Sequence, residues 1–376
     1  MIDLRRTVLM VTRAIEERFD AYRFTLKGRL GLLDPFEILP YRGHGTSREL
    51  FLRGRVLEEA GITHAGRDDA MWKNVLNMAR RFASDEVAGA RLKASFEGFQ
   101  VETTADVEGF FEVHFRLPEP LGGVAQWHQV ELDLLSPPSP GGGRVRSTGQ
   151  VLVPHGARFG VISDLDDTVV RSSATSVLKM AWIVLRNNAH TRLPFEGVAA
   201  FYRALQGGAD GRGSNPIFYV SSSPWNIYDM LDDFLYVHGV PPGPLFLKDW
   251  SLTVLGKHRD YKIGVIRHLL RIYEDLPFVL IGDSGEEDPE IYLQAVQEHQ
   301  GRIKAIYIRD VASVERDAEV RAMADEARKL GTEMVAVSET TAAAEHAASI
   351  GLIAPDAIDA VRSESSADHY SSLQWD

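Results

Sequence analysis

Beyond Arg158 the chain alternates short apolar runs with longer segments whose apolar residues recur at helical spacing, and few folds accommodate that order. The runs fall near 159 to 163, 217 to 221, 245 to 247, 278 to 282, 304 to 308 and 334 to 338. Continuous rather than alternating hydrophobicity predicts strands buried on both faces. The periodic segments fall near 175 to 188, 196 to 206, 225 to 238, 261 to 273, 289 to 299, 313 to 330 and 340 to 350. Parallel strands need long crossovers, which helices supply, so this order predicts a parallel sheet covered by helices on both faces. Ligands in such sheets bind beyond the carboxyl ends of the strands, where the strand order reverses. Reactive side chains are therefore expected just past the end of each strand.

The first strand, Phe159 to Ile162, runs into Ser163-Asp164-Leu165-Asp166-Asp167-Thr168. Asp164, Asp166 and Thr168 alternate, so their side chains leave the sheet end on one side. One carboxylate there can attack phosphorus, a second can move the proton, and a Mg²⁺ ion can screen both from the phosphate charge. The plainer reading is an acidic turn with Asp167 or Thr168 capping the next helix. Three later segments weigh against it. Ile217-Phe218-Tyr219-Val220 is followed by Ser221-Ser222-Ser223-Pro224-Trp225, with Pro224 suited to a first helical position and Ser221 to a phosphate oxygen. Lys262 opens a periodic segment, a cation where the helix dipole would not ask for one. Phe278-Val279-Leu280-Ile281 ends in Gly282-Asp283-Ser284-Gly285-Glu286-Glu287-Asp288-Pro289. Each alone has an ordinary explanation: a cap, a solvated lysine, loop acids.

Together, in this order and at these element ends, the four segments resemble the four motifs of the haloacid dehalogenase superfamily. More narrowly, Asp164 to Thr168, Tyr219 to Trp225 and Gly282-Asp283-Ser284 through Asp288-Pro289-Glu290-Ile291-Tyr292 resemble the phosphatidate phosphatases associated with actin patches and their bacterial relatives. The resemblance covers about residues 150 to 355, and Tyr41-Arg42-Gly43 more loosely. It implies a haloacid-dehalogenase-like doubly wound parallel sheet with a minimal cap. It also implies that Asp164 is a nucleophile forming an aspartyl-phosphate, while Asp166 protonates the leaving oxygen and then activates water. Thr168 would orient Asp166 and, with Ser221 and Lys262, hold phosphate. Mg²⁺ would be held by Asp164, the Asp166 carbonyl and Asp283, with Asp288 behind them holding a metal water or Lys262. Lys257 is a second candidate for the lysine role; Ser222 and Ser223 receive none.

Upstream, residues 2 to 30 carry Leu4, Val8, Val11, Ile15, Phe19 and Tyr22 at steps of three and four, one stripe of a basic amphipathic helix. It either docks onto this protein or a second copy, or lies on an anionic membrane surface. From Glu37 to about Val153 the chain carries short β-rich runs, at 49 to 57, 90 to 96, 100 to 104, 110 to 115 and 128 to 134. They predict a β-sandwich of immunoglobulin-like or transthyretin-like type, with a helix inserted at 69 to 81. Residues 136 to 143 form its last long loop, and His44, His114 and His128 are too scattered for a metal site. The expected organisation is an N-terminal helix at 1–34, the sandwich at 35–154, the phosphatase domain at 155–362 and a polar, frayed tail at 363–376.

Composition excludes several alternatives. The 376 residues, 44% hydrophobic, are enough for two cores. With no cysteine there are neither disulfides nor thiolate metal sites. A net charge of −12 opposes generic nucleic-acid binding. No apolar run approaches the ~20 residues that span a bilayer, and charges interrupt the N-terminal segment where a signal peptide would be apolar. A cytoplasmic protein, with or without peripheral membrane contact, is expected.

The expected substrate is phosphatidate or a related lipid phosphate; a soluble or protein-borne phosphomonoester and a silent binding module are the alternatives. A dehalogenase would not need Asp166, and a phospho-accepting signalling domain would gain nothing from it. Val169 to about Pro194 has room for one helix and Lys248 to Tyr261 for a loop, so no large cap is expected. The helix expected at 175 to 188, with Trp182 and Leu185, either packs inside the protein or meets lipid.

Overall fold

The computed structural model describes residues 33–58, 86–165, 196–248, 258–310 and 314–373. The helices expected at 1–34, 69–81 and 175–188 lie outside these residues in whole or almost so. Two compact units divide the chain: one holds the described residues up to Gly122 with Trp127–Val151, the other holds Gly123–Gln126 and everything from Leu152.

The first unit is built of β1 (Phe36–Pro40), β2 (Gly43–Gly45), β3 (Glu49–Glu58), β4 (Arg91–Phe96), β5 (Phe99–Thr104), β6 (Phe110–Arg116), β7 (Trp127–Ser136) and β8 (Arg146–Leu152). They form one eight-stranded sheet in the order β1-β3-β2-β8-β7-β4-β5, with β6 on β3. The pairs of β3 with β1, β2 and β6 and of β4 with β5 and β7 are antiparallel. Five of these strands match the β-rich runs; β1, β2 and β8 are too short or too polar to stand out by pattern. Along β4, Leu92, Ala94 and Phe96 turn inward while their neighbours do not, the period-2 signature of a strand with one buried face. The β5–β6 hairpin closes on Asp106, whose Oδ1 accepts the N–H groups of Glu108 and Phe110, both at 2.9 Å. Gly109 lies between them at φ 77°, a conformation open to glycine at little cost. The histidines pack structurally: His44 and His114 stack on Phe51, with centroids 5.2 and 4.2 Å away, and His128 meets the edge of Phe96.

In the second unit strands and helices alternate: β9 (Gly160–Asp164), α1 (Val198–Gly207), β10 (Ile217–Pro224), α2 (Tyr228–Val237), β11 (Leu245–Lys248), α3 (His258–Ile272), β12 (Phe278–Asp283), α4 (Asp288–Glu298), β13 (Ile303–Arg309), α5 (Val314–Lys329), β14 (Glu333–Val337), α6 (Thr340–Ser349) and α7 (Ala357–Leu373). The six strands lie in the order β11-β10-β9-β12-β13-β14, and every pair is parallel. All residues of β9 and β12 are buried, which is why their sequences lack alternation. The chain winds outward from β9 first one way and then the other, so the strand order reverses beside β9. Phe218, Tyr273 and Phe278 form an aromatic core on this sheet, with centroids 5.3 to 6.3 Å apart. Each such burial stabilises by about 1.5–3 kcal/mol. Asn215 fixes where β9 starts: its Oδ1 accepts the Arg158 N–H at 2.9 Å and its Nδ2 donates to Leu205 O at 2.9 Å.

Two expectations are corrected. The tail after Arg362 is not frayed at its start, because α7 continues to Leu373. Val361 of α7 is buried, and Glu364 accepts the Ala200 N–H at 2.8 Å and pairs with Arg203. The Glu364 carboxylate meets an N–H in the first turn of α1 that has no helical partner, a tie that adds to the burial of Val361. Pro224 does not open a helix either. It is extended, at φ −71° and ψ 153°, and caps a single 3₁₀ turn at Trp225–Ile227 before α2 begins.

Candidate active site

Asp164 is the last residue of β9, and in register it faces Val220 on β10, so Ser221 is the next residue outward on that neighbouring strand. On the other side β12 ends at Asp283. Three adjacent parallel strands thus bring Asp164, Ser221 and Asp283 to one sheet edge, at the point where the strand order reverses. The side chains are almost dry: residue exposures are 7% for Asp164, 1% for Ser221 and 4% for Asp283.

Lys262 and Asp288 arrive from helices. Helix α3 starts at His258, ahead of the expected position, so Lys262 lies one turn inside rather than at the opening. Its Nζ is 2.7 Å from Asp164 Oδ1, and it donates to Glu286 Oε2 at 2.8 Å and to Asp288 Oδ1 at 3.0 Å. Asp288 is the first residue of α4, followed by Pro289, which suits the first turn because its missing N–H has no helical partner there. The other oxygen of Asp288 accepts the Asp283 N–H at 3.3 Å. A glycine at 282 makes this approach feasible, since a Cβ there would lie 2.3 Å from Asp288 Oδ2.

The turn between β12 and α4 folds on its own carboxylate. Asp283 Oδ1 accepts the N–H groups of Gly285 at 2.6 Å and Glu286 at 3.1 Å. Arg316 of α5 grips the outside of the same turn. Its guanidinium donates to the carbonyls of Ser284 (3.1 Å) and Glu286 (2.9 Å) and makes a fork on Glu290, at 2.6 and 2.7 Å. Ser221 Oγ accepts the Ser223 N–H at 3.0 Å, folding the serine run back at a break in the β10–β11 register.

Electrostatically the cluster is lopsided. Among the described residues, Asp164, Asp283, Asp288 and Glu286 surround one lysine. Burial pushes Asp288 up to about 7; the Lys262 ammonium offsets that in part, while the charges of Asp283 and Glu286 add to it. Asp164, Asp283 and Asp288 each offer an oxygen, and these oxygens lie within 4.8 Å of one another. Three hard carboxylate oxygens with unbalanced negative charge fit a magnesium-like divalent cation.

The described residues therefore bring together Asp164, Ser221, Lys262, Asp283 and Asp288. Asp166, Thr168 and the alternative Lys257 lie outside them. Sequence reasoning assigned no role to Glu286 or Arg316. Nothing in the spacing separates Glu286 from Glu287, and Arg316 sits in a highly charged helix that reads as a solvated face.

Residues 159–310 match the family described as the catalytic domain of phosphatidate phosphatase APP1. Over 160 residues the chain is 32% identical to phosphatidate phosphatase APP1 of Saccharomyces cerevisiae, covering 42% of this chain and 26% of that protein. Over 158 residues it is 28% identical to an uncharacterised protein of Schizosaccharomyces pombe, covering 41% of this chain and 25% of the other. The chain thus spans about a quarter of the length of the curated relatives it matches. A solved carbohydrate acetylesterase from Xanthomonas citri aligns over 88% of this chain and 73% of its own at 12% identity, with a TM-score of 0.28, and that likeness carries no argument.

Proposed function

We propose, from the premise that residues 159–310 belong to the phosphatidate phosphatase catalytic-domain family, that this protein is a Mg²⁺-dependent phosphatase acting on phosphatidate or a related lipid phosphate. The observation that carries the reading is the buried Lys262 lying 2.7 Å from Asp164 at the reversal point of the parallel sheet, with Asp283 and Asp288 beside it. We read the second unit as the haloacid-dehalogenase-like doubly wound fold and the first as a β-sandwich that positions rather than catalyses.

In this reading the Asp164 carboxylate attacks phosphorus and forms an aspartyl-phosphate as the ester oxygen departs. Asp166 gives that oxygen its proton, leaving diacylglycerol when the substrate is phosphatidate. Water then attacks the phosphorus of the aspartyl-phosphate, Asp166 takes its proton, and phosphate leaves with Asp164 restored. Lys262 and Ser221 hold phosphate oxygens, and the ammonium balances charge that builds in the transition state. Asp288 holds Lys262 in place, while Asp164, Asp283 and the Asp166 carbonyl would hold Mg²⁺, with an Asp288 oxygen within 4.8 Å of those of Asp164 and Asp283 as a further donor. When bound, that ion neutralises phosphate charge as a Lewis acid.

Among the described residues no helix is long and apolar enough to cross a membrane. The test compares phosphatidate in vesicles with soluble phosphomonoesters, each with Mg²⁺ and with EDTA. Faster Mg²⁺-dependent turnover of phosphatidate is expected. A clear preference for soluble esters defeats the lipid reading, and no turnover of any phosphomonoester defeats the enzyme.

A further inference from the structure

The three carboxylates on Lys262 are not equivalent. The side chains of Asp164 and Asp288 are 4% and 0% exposed, and both belong to the trio able to hold a cation. Glu286 is outside that trio and 31% exposed. An ammonium has three N–H donors, and three carboxylate oxygens already lie within 3.0 Å of this one. Two of its N–H groups are donated to Glu286 and Asp288, so a phosphate oxygen that reaches Lys262 competes with these carboxylates for the ammonium.

The backbone at Glu286 is held independently of its side chain. Its N–H is tied to Asp283 Oδ1 and its carbonyl to Arg316. The carboxylate can thus swing into solvent about its own side-chain torsions without disturbing the turn that carries Asp283 and Asp288. The two aspartates have no such freedom, since Asp164 ends a buried strand and Asp288 is fixed at the first turn of α4 by its bond to Asp283 N–H.

We propose that Glu286 is an exchangeable counterion of Lys262: its carboxylate occupies the place a phosphate oxygen takes and leaves when phosphate binds, so that residue 286 sets the affinity of the site for phosphate. The proposal rests on the phosphatase reading, because it takes Lys262 as a phosphate ligand. Apparent affinity falls by the fraction of molecules in which the binding group is available. Removing the competitor raises that fraction.

Inorganic phosphate serves as the probe, with the full chain and its Glu286→Gln and Glu286→Ala variants. Affinity is read from the phosphate-dependent rise in Tm and from competitive inhibition of p-nitrophenyl phosphate hydrolysis with Mg²⁺. Both variants are expected to bind phosphate about 3- to 10-fold more tightly than the parent, with a parallel fall in KM. Unchanged or weaker phosphate binding in both variants, alongside normal Mg²⁺-dependent turnover by the parent, overturns the exchange and leaves the phosphatase reading standing. Absence of both phosphate binding and turnover in the parent overturns the two together.

Discussion

Arg55 and Lys262 are both buried cations, one in each unit, and their surroundings differ in how charge is balanced. Arg55 is 6% exposed; its guanidinium meets one carboxylate, Glu86 at 2.9 Å, and the Glu108 carbonyl at 2.8 Å, and lies 4.5 Å from the centroid of the Phe110 ring. Among the described residues, the Arg55 charge is paired with one carboxylate, and its other contacts, a carbonyl and an aromatic ring, are neutral. Lys262 meets three carboxylates, with Asp283 next to them. A matched pair serves the fold, whereas an uncompensated cluster of buried acids costs stability and is ready for a positive partner or a proton.

That contrast can be broken most sharply at Asp164. Asp164→Asn should abolish phosphomonoester hydrolysis, since an amide is a poor nucleophile, yet its Tm in EDTA should not fall below the parent's because one repelling charge is gone. A large loss of Tm would make Asp164 a structural residue of the Arg55 kind. Lys262→Ala should lower kcat/KM by about 10²-fold, corresponding to ~3 kcal/mol of transition-state stabilisation. Steady-state kinetics with saturating Mg²⁺ check this, and near-normal turnover would remove Lys262 from the site.

Arg55→Ala is the converse. It should lower stability by about 2 kcal/mol through the loss of charged hydrogen bonds, as measured by urea unfolding, while hydrolysis per folded molecule stays at the parent level. A further test concerns pH. Burial pushes the Asp288 carboxyl up to about 7 from its ordinary value of 3.8. The folded state therefore holds more protons between these values, and stability without metal should fall as pH rises from about 4 to about 7. Asp288→Asn should flatten that slope in thermal scans, and an unchanged slope would assign it to other groups.

Much of the second unit was legible because buried parallel strands are written as unbroken apolar runs, so the six strands fall within a few residues of the predicted ones. The aspartates at strand ends came from the same logic, since a charged residue after a buried run marks the sheet edge. Local pattern was less informative where structure depends on distant partners. α7 is held through Glu364 on α1, Arg316 acts through a turn that precedes it by a whole strand, and the third carboxylate on Lys262 comes from one of two adjacent glutamates. In the first unit, β2 is three residues of glycine and histidine whose strand geometry depends on β3 and β8 on either side of it.

The central claim is that Asp164, at the end of β9, is the residue that takes the phosphoryl group. The direct measurement is borohydride reduction of the enzyme during turnover of p-nitrophenyl phosphate with Mg²⁺, with peptide mass spectrometry of the product. Reduction of an acyl phosphate should convert residue 164 to homoserine, and the conversion should be absent when EDTA is present. Turnover that continues with Asp164 unmodified, or homoserine found at another aspartate, would contradict the account.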